Sequence, residues 1–183
     1  MPDQYRKGLI RYCMNILYLH GLDGSLSDDK RSALEGYGAV IGPEINYRAT
    51  PNTIIEIQDK YQSDNIDVVI GNSMGGLAAY YISLKYDTPC LIFNPALPYT
   101  SVSQTIPGNL HQRNQFLQVV LGRQDDVIKL HDNLRFLEQN INAETDASVH
   151  IINKAGHRIP IEIFEAELKS FFDTLAAKPI QEC

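Results

Sequence analysis

Apolar residues in this chain fall into six short runs: NILYLH (15–20), AVIGPEI (39–45), IDVVI (66–70), PCLIFN (89–94), FLQVVL (116–121) and VHIIN (149–153). Four are nearly continuous, as strands buried on both faces read, rather than alternating as one-sided strands do. Between the runs the apolar spacing lengthens to three and four residues. This is clearest in NTIIEIQDKYQ (52–62), GLAAYYISLKY (76–86), VIKLHDNLRFLEQNI (127–141) and IPIEIFEAELKSFFDTLAA (159–177), which predicts helices there. Asp87-Thr88-Pro89 and Lys178-Pro179 supply stop signals, because the residue before a proline is disfavoured in helical conformation. No repeat or low-complexity linker interrupts the alternation, so one domain over 1–183 is expected. Since parallel crossovers are nearly always right-handed, the pattern predicts an α/β three-layer sandwich around a mostly parallel six-stranded sheet.

In such sheets ligands bind beyond the carboxyl ends of the strands, so the loops after the apolar runs are where chemistry belongs. The run IDVVI enters Gly71-Asn72-Ser73-Met74-Gly75-Gly76 and leaves as a helix. A strand-to-helix turn that sharp strains the backbone of its central residue, and glycines flank it because side chains there would collide. Ser73 is thereby lifted off the sheet, with the Met74 N–H at a helix N-terminus where developing negative charge is favoured. The plainer reading is a glycine turn with Ser73 as an N-cap.

A serine hydroxyl needs a base to become a nucleophile, and the base needs a carboxylate to orient it. Of the five histidines, His157 in INKAGHRIP follows the last strand and precedes the last helix, at the carboxyl edge of the sheet. His131 falls within a predicted helix, His150 within a strand and His111 in a polar stretch. The carboxylate is expected between serine and histidine in the chain, and VVLGRQDDVI offers both Asp125 and Asp126. Asp126 directly precedes the helical run Val127-Ile128-Lys129-Leu130, which favours it as the helix cap and leaves Asp125 as the acid. A capping carboxylate commits its oxygens to backbone N–H groups and so turns away from His157. In LYLHGLDGS (17–25), a His-Gly turn after the first strand would present the Leu22 N–H as a second donor to an oxyanion, with His20 holding the turn. His20, Asp23, Asp28 and Asp29 lack the clustered histidine pair of a metal site, and neither metal nor cofactor is expected.

Composition narrows the partners. Asp and Glu outnumber Lys and Arg by 22 to 16, a net charge of −6, and the basic residues Arg6, Lys7, Arg11, Lys30 and Arg31 are dispersed. A nucleic-acid surface, which needs a clustered basic stripe, is therefore not expected. Cys13, Cys90 and Cys183 have no CxxC spacing and suit a reducing, cytoplasmic compartment. The N-terminal stretch offers one short apolar run broken by Asn15 and no small-residue cleavage site, so neither a signal peptide nor a membrane span is expected.

Taken in order, the His-Gly turn, Gly-Asn-Ser-Met-Gly-Gly, the aspartate pair and Ala-Gly-His resemble the α/β-hydrolase superfamily over nearly the whole chain. LYLHGLDGS, GNSMGG and IFNPAL are similar to the small YqiA-like esterases, a branch with six parallel strands and little decoration. The resemblance implies the strand order 2-1-3-4-5-6, which sets the first strand beside the third and the Leu22 loop beside Ser73. It also favours Asp125 as the acid, since in related hydrolases the acid tends to stand two residues before an apolar anchor, here Val127. Lids in the superfamily are commonly inserted after the strand that follows the serine helix. Here that interval, 96–115, carries Pro98 and Pro107 and is too short for a cap domain.

An open or shallow site follows, with Leu97, Tyr99 and Ile106 as candidate apolar acyl contacts. The expected function is a serine hydrolase using Ser73, His157 and Asp125 on a small-molecule acyl ester or thioester. A catalytically inactive binding or scaffold protein on the same fold is the alternative.

Overall fold

The computed structural model describes residues 14–98 and 101–178. The apolar runs become β1 (Asn15–Leu19), β2 (Ala39–Ile41), β3 (Val68–Asn72), β4 (Cys90–Phe93), β5 (Leu117–Gly122) and β6 (Ala147–Ile152). They form one sheet in the order β2-β1-β3-β4-β5-β6, with every pairing parallel. The four inner strands are almost wholly buried and are the continuous runs, whereas the edge strands β2 and β6 are partly exposed. β2 stops at Ile41, short of the expected 45, because Gly42-Pro43 follows and proline has no N–H for a ladder.

Five helices lie among the described residues: α1 (Asp28–Glu35), α2 (Thr53–Tyr61), α3 (Met74–Tyr86), α4 (Leu130–Asn140) and α5 (Ile161–Ala177). The last four match the helical runs, although α4 starts at Leu130 and leaves Val127–Lys129 as a bend outside it. α1 carries no pattern that predicts it. Its sequence, DDKRSALE, buries only Leu34, so it carries no apolar stripe to be seen. None of the helices is long and apolar enough to cross a membrane, among the described residues.

Side chains alternate across the strands, and the alternation divides the core in two. Leu17, Leu19, Val69, Ile92, Val119 and Leu121 pack with Ile54 and Ile57 of α2, Leu77 and Ile82 of α3 and Leu137 of α4. Ile16, Tyr18, Ile70, Leu91, Phe93 and Val120 face the other way, against Leu34 of α1 and Phe164, Leu168 and Phe171 of α5. The layers are thus helix, sheet, helix. α3, buried over Met74–Tyr80, has no polar face and lies under the middle of the sheet, directly behind the β3–α3 turn.

Phe164 anchors the second layer, with its ring 4.9 Å from that of Phe93 and edge-on to Tyr18 at 6.2 Å. It is fully buried. Phe164→Ala is expected to cost about 3–5 kcal/mol, read as a lower urea midpoint with an unchanged slope.

Candidate active site

The β3–α3 turn places Ser73 at φ 54° and ψ −120°, a left-handed conformation unusual for a residue with a Cβ. Contacts on both sides hold it there. A Cβ on Gly71 would stand 2.2 Å from Gly75 O, and one on Gly75 would stand 2.0 Å from Leu19 O, so both glycines are required by close backbone approach. The Ser73 backbone is pinned from the other side, its N–H donating to Phe93 O and its carbonyl accepting from Ala96 N, each at 2.9 Å.

His157 sits on the β6–α5 loop, and its Nε2 lies 3.0 Å from Ser73 Oγ. Its Nδ1 lies 2.8 Å from Asp125 Oδ2. An ionised carboxylate only accepts, so the imidazole proton belongs on Nδ1, which leaves the Nε2 lone pair facing the serine hydroxyl. The Asp125 side chain is 1% exposed and that of His157 23% exposed, so the carboxylate is sealed from solvent while the imidazole edge is reachable.

The structure corrects the reason given for separating the two aspartates. Asp125 Oδ1 accepts from Val127 N and Ile128 N, both at 2.8 Å, while Oδ2 meets His157. One carboxylate therefore ties the loop and orients the imidazole, because its two oxygens face different ways. Asp126 is exposed, its backbone carbonyl accepts from Lys129 Nζ, and it caps nothing.

The His20-Gly21 turn after β1 lies against the serine turn: a Cβ on Gly21 would stand 3.2 Å from Ser73 Cβ. His20 is buried, its Nε2 accepts from Ile45 N at 2.9 Å and its Nδ1 lies 2.7 Å from Gly21 O. The first bond makes Nε2 the acceptor, so Nδ1 carries the proton and donates. Tyr47 Oη donates to His20 O at 3.1 Å, and Tyr18 Oη donates to Asn72 Oδ1 at 2.7 Å. Burial pushes both phenols well above their ordinary range, which keeps them protonated as donors. Asp23, beyond the turn, forms a two-point ion pair with Arg48, whose guanidinium holds the carboxyl below its usual value.

Leu22 and Met74 line a cavity of about 240 Å³ together with Ser73 and His157. The Met74 N–H stands in the first turn of α3, where helix geometry provides no intrahelical acceptor. The rest of the lining is Ala96, Ser101, Val127 and Ile128. Two of the expected acyl contacts are elsewhere: Leu97 is buried in the core below, and Ile106 is 41% exposed and does not line the cavity. Tyr99 lies outside the described residues. The apolar wall comes instead from Ala96 and from Val127 and Ile128 of the bend, two residues that the helical spacing of 127–141 places in the first turn of a helix. The segment 101–116 has no helix or strand and makes no cap domain, and its Ser101 lines the cavity.

Comparison with solved structures gives the same fold at low identity. MGS-MChE2, an α/β hydrolase enzyme from the metagenome of lagoon sediments at Mar Chica, Morocco, is 16% identical, covering 89% of this chain and 92% of its own, with a TM-score of 0.69. Est1E from Butyrivibrio proteoclasticus is 14% identical, covering 92% and 90%, with a TM-score of 0.66. FphF, a fluorophosphonate-binding serine hydrolase of Staphylococcus aureus, is 16% identical, covering 92% and 86%, with a TM-score of 0.59. No curated protein matches the chain in sequence. Residues 15–118, from β1 into β5 and including both the His20-Gly21 and Ser73 turns, match the uncharacterised protein family UPF0227. With more than half of its length inside that match, the chain belongs to UPF0227, the YqiA-like family, and has a minimal α/β-hydrolase fold.

Proposed function

We propose that the protein is a serine hydrolase that cleaves small acyl esters or thioesters through an acyl-enzyme on Ser73. The observation that carries this reading is the hydrogen-bonded chain from Asp125 through His157 to Ser73, with the imidazole tautomer set for proton removal. His157 Nε2 takes the hydroxyl proton as Ser73 Oγ attacks the acyl carbon. The Met74 and Leu22 N–H groups receive the charge that develops on the carbonyl oxygen. His157 then protonates the departing alkoxide or thiolate, and a water activated by the same nitrogen releases the acid and restores Ser73. Asp125 keeps the imidazole in register and stabilises its cationic form.

Size and lining favour a small, uncharged acyl group. The cavity, at about 240 Å³, falls below the roughly 300–1,000 Å³ of pockets that take drug-sized ligands. Ala96, Val127 and Ile128 offer an apolar wall, and His157 brings the one ionisable side chain among the described lining residues. The esterases and serine hydrolases that share the fold support the reaction class.

A fluorophosphonate probe is expected to label Ser73 in the parent protein and to leave Ser73→Ala unlabelled, with Ser73→Ala melting at or slightly above the parent because the hydroxyl adds no packing and the turn is strained. A folded parent that takes no label would favour the inactive scaffold. Turnover of p-nitrophenyl esters is expected to fall as the acyl chain lengthens past butyrate, and a preference for long chains with activation at an oil interface would contradict the small, uncapped site. Asp125→Asn is expected to lower kcat by about 10⁴, since an amide holds the wrong imidazole tautomer. Asp126→Ala is expected to keep its activity and to change stability by no more than about 0.5 kcal/mol, which kcat and the denaturation midpoint of both variants will test.

A further inference from the structure

Asn94, the first residue after β4, is buried and has its backbone at φ 39°, a left-handed value that asparagine tolerates better than most residues with a Cβ. Its side chain makes three hydrogen bonds. Nδ2 donates to Gly156 O at 2.8 Å and to His157 O at 3.0 Å, and Oδ1 accepts from Gly122 N at 2.6 Å. Two carbonyls can only accept and a backbone N–H can only donate, so the partners allow one orientation of the amide. Neither Asp, which lacks the donors, nor Leu, which lacks both functions, satisfies them.

The backbone around Asn94 faces the nucleophile. Phe93 O and Ala96 N are the two groups that pin Ser73, and Asn94 N itself continues the β4–β5 ladder to Val120 O at 2.8 Å. On the far side, the His157 loop folds over the end of β5 so closely that a Cβ on Gly122 would stand 2.6 Å from Ala155 O and 2.7 Å from Gly156 O. One four-residue turn, 93–96, thus grips the backbone of Ser73 with its main chain and the backbone of His157 with its side chain.

We propose that Asn94 is a positioning residue that fixes the separation of His157 from Ser73, resting on the hydrolase reading above. Asp125 sets the rotation of the imidazole and Asn94 sets the height of the loop that carries it. Without the amide, Gly156 O, His157 O and Gly122 N lose their buried partner, and the loop relaxes away from the serine turn.

The test uses two variants of the full chain. Asn94→Gly removes the amide while keeping a backbone suited to positive φ, and Asn94→Asp keeps the volume and the acceptor for Gly122 while losing both donors. With a p-nitrophenyl ester of short acyl chain, both are expected to hold KM within about twofold of the parent and to lose kcat by on the order of 10²-fold, the scale that a misplacement of about 1 Å produces. Fluorophosphonate labelling of Ser73 should slow by the same factor. In a His157→Ala background, adding Asn94→Gly should leave the residual rate unchanged, since a residue that acts only through His157 has nothing left to position. Parent-like kcat in both variants, or an equal fold-loss with and without His157, overturns the assignment. If Asn94→Gly does not fold, Asn94→Asp alone carries the comparison in both backgrounds. An unlabelled, inactive parent instead refutes the hydrolase reading, and the assignment with it.

Discussion

Backbone meets backbone where the β3–α3 turn passes the end of β1, with no room for a Cβ on Gly75. That approach brings the turn after β1 against Ser73, and it is possible only because β1 and β3 are neighbours in the sheet. The left-handed conformation of Ser73 is the cost of the geometry. It persists because the surroundings over-determine it: glycines on either side, a helix buried from Met74 to Tyr80 behind, and hydrogen bonds to both its N–H and its carbonyl from Phe93 and Ala96. Relaxing the serine would require moving three elements at once.

The same economy governs the polar groups around the site. Each turn is held from behind by a hydrogen-bonding group that is buried or half-buried. Tyr18 holds Asn72, Tyr47 and Ile45 hold the His20 turn, and Asn94 holds the His157 loop. Buried polar atoms of this kind cost free energy when unpartnered, so the network resists partial disassembly. In the proposed reaction this rigidity is what keeps donors aimed at a charge before it forms.

Asp125 shows how one side chain serves local and long-range structure together. Its Oδ1 closes the bend at 125–128, and the same bend turns Val127 and Ile128 towards the cavity. Its Oδ2 reaches His157, 32 residues on. The bend therefore both orients the imidazole and supplies part of the apolar wall, which links Asp125 to the shape of the cavity.

The alternation of apolar runs was enough to read the layers, the six strands and four of the helices, because burial of inner strands on both faces leaves continuous apolar runs that periodicity reveals. Gly71, Ser73 and Gly75 were legible for a related reason: a tight strand-to-helix turn restricts residue type locally, so its need for glycine is written at fixed spacing. α1 was not legible, since a surface helix with one buried residue has no stripe. Nor were the Val127–Ile128 wall and the bracket made by Asn94, although Asn94 stood in plain view within IFNPAL. The wall depends on a bend where periodicity reads helix, and the role of Asn94 depends on partners 28 to 63 residues away in the chain, brought within 3 Å only when β4, β5 and the His157 loop come together. The sequence by itself determined the layers, the strained turn and the residues proposed for the chemistry, because each rests on local sterics or on burial. Tertiary structure alone decided which oxygen of Asp125 faces His157, what lines the cavity and which side chain ties down the His157 loop, because hydrogen-bond direction and packing between distant segments leave no periodic trace along a chain.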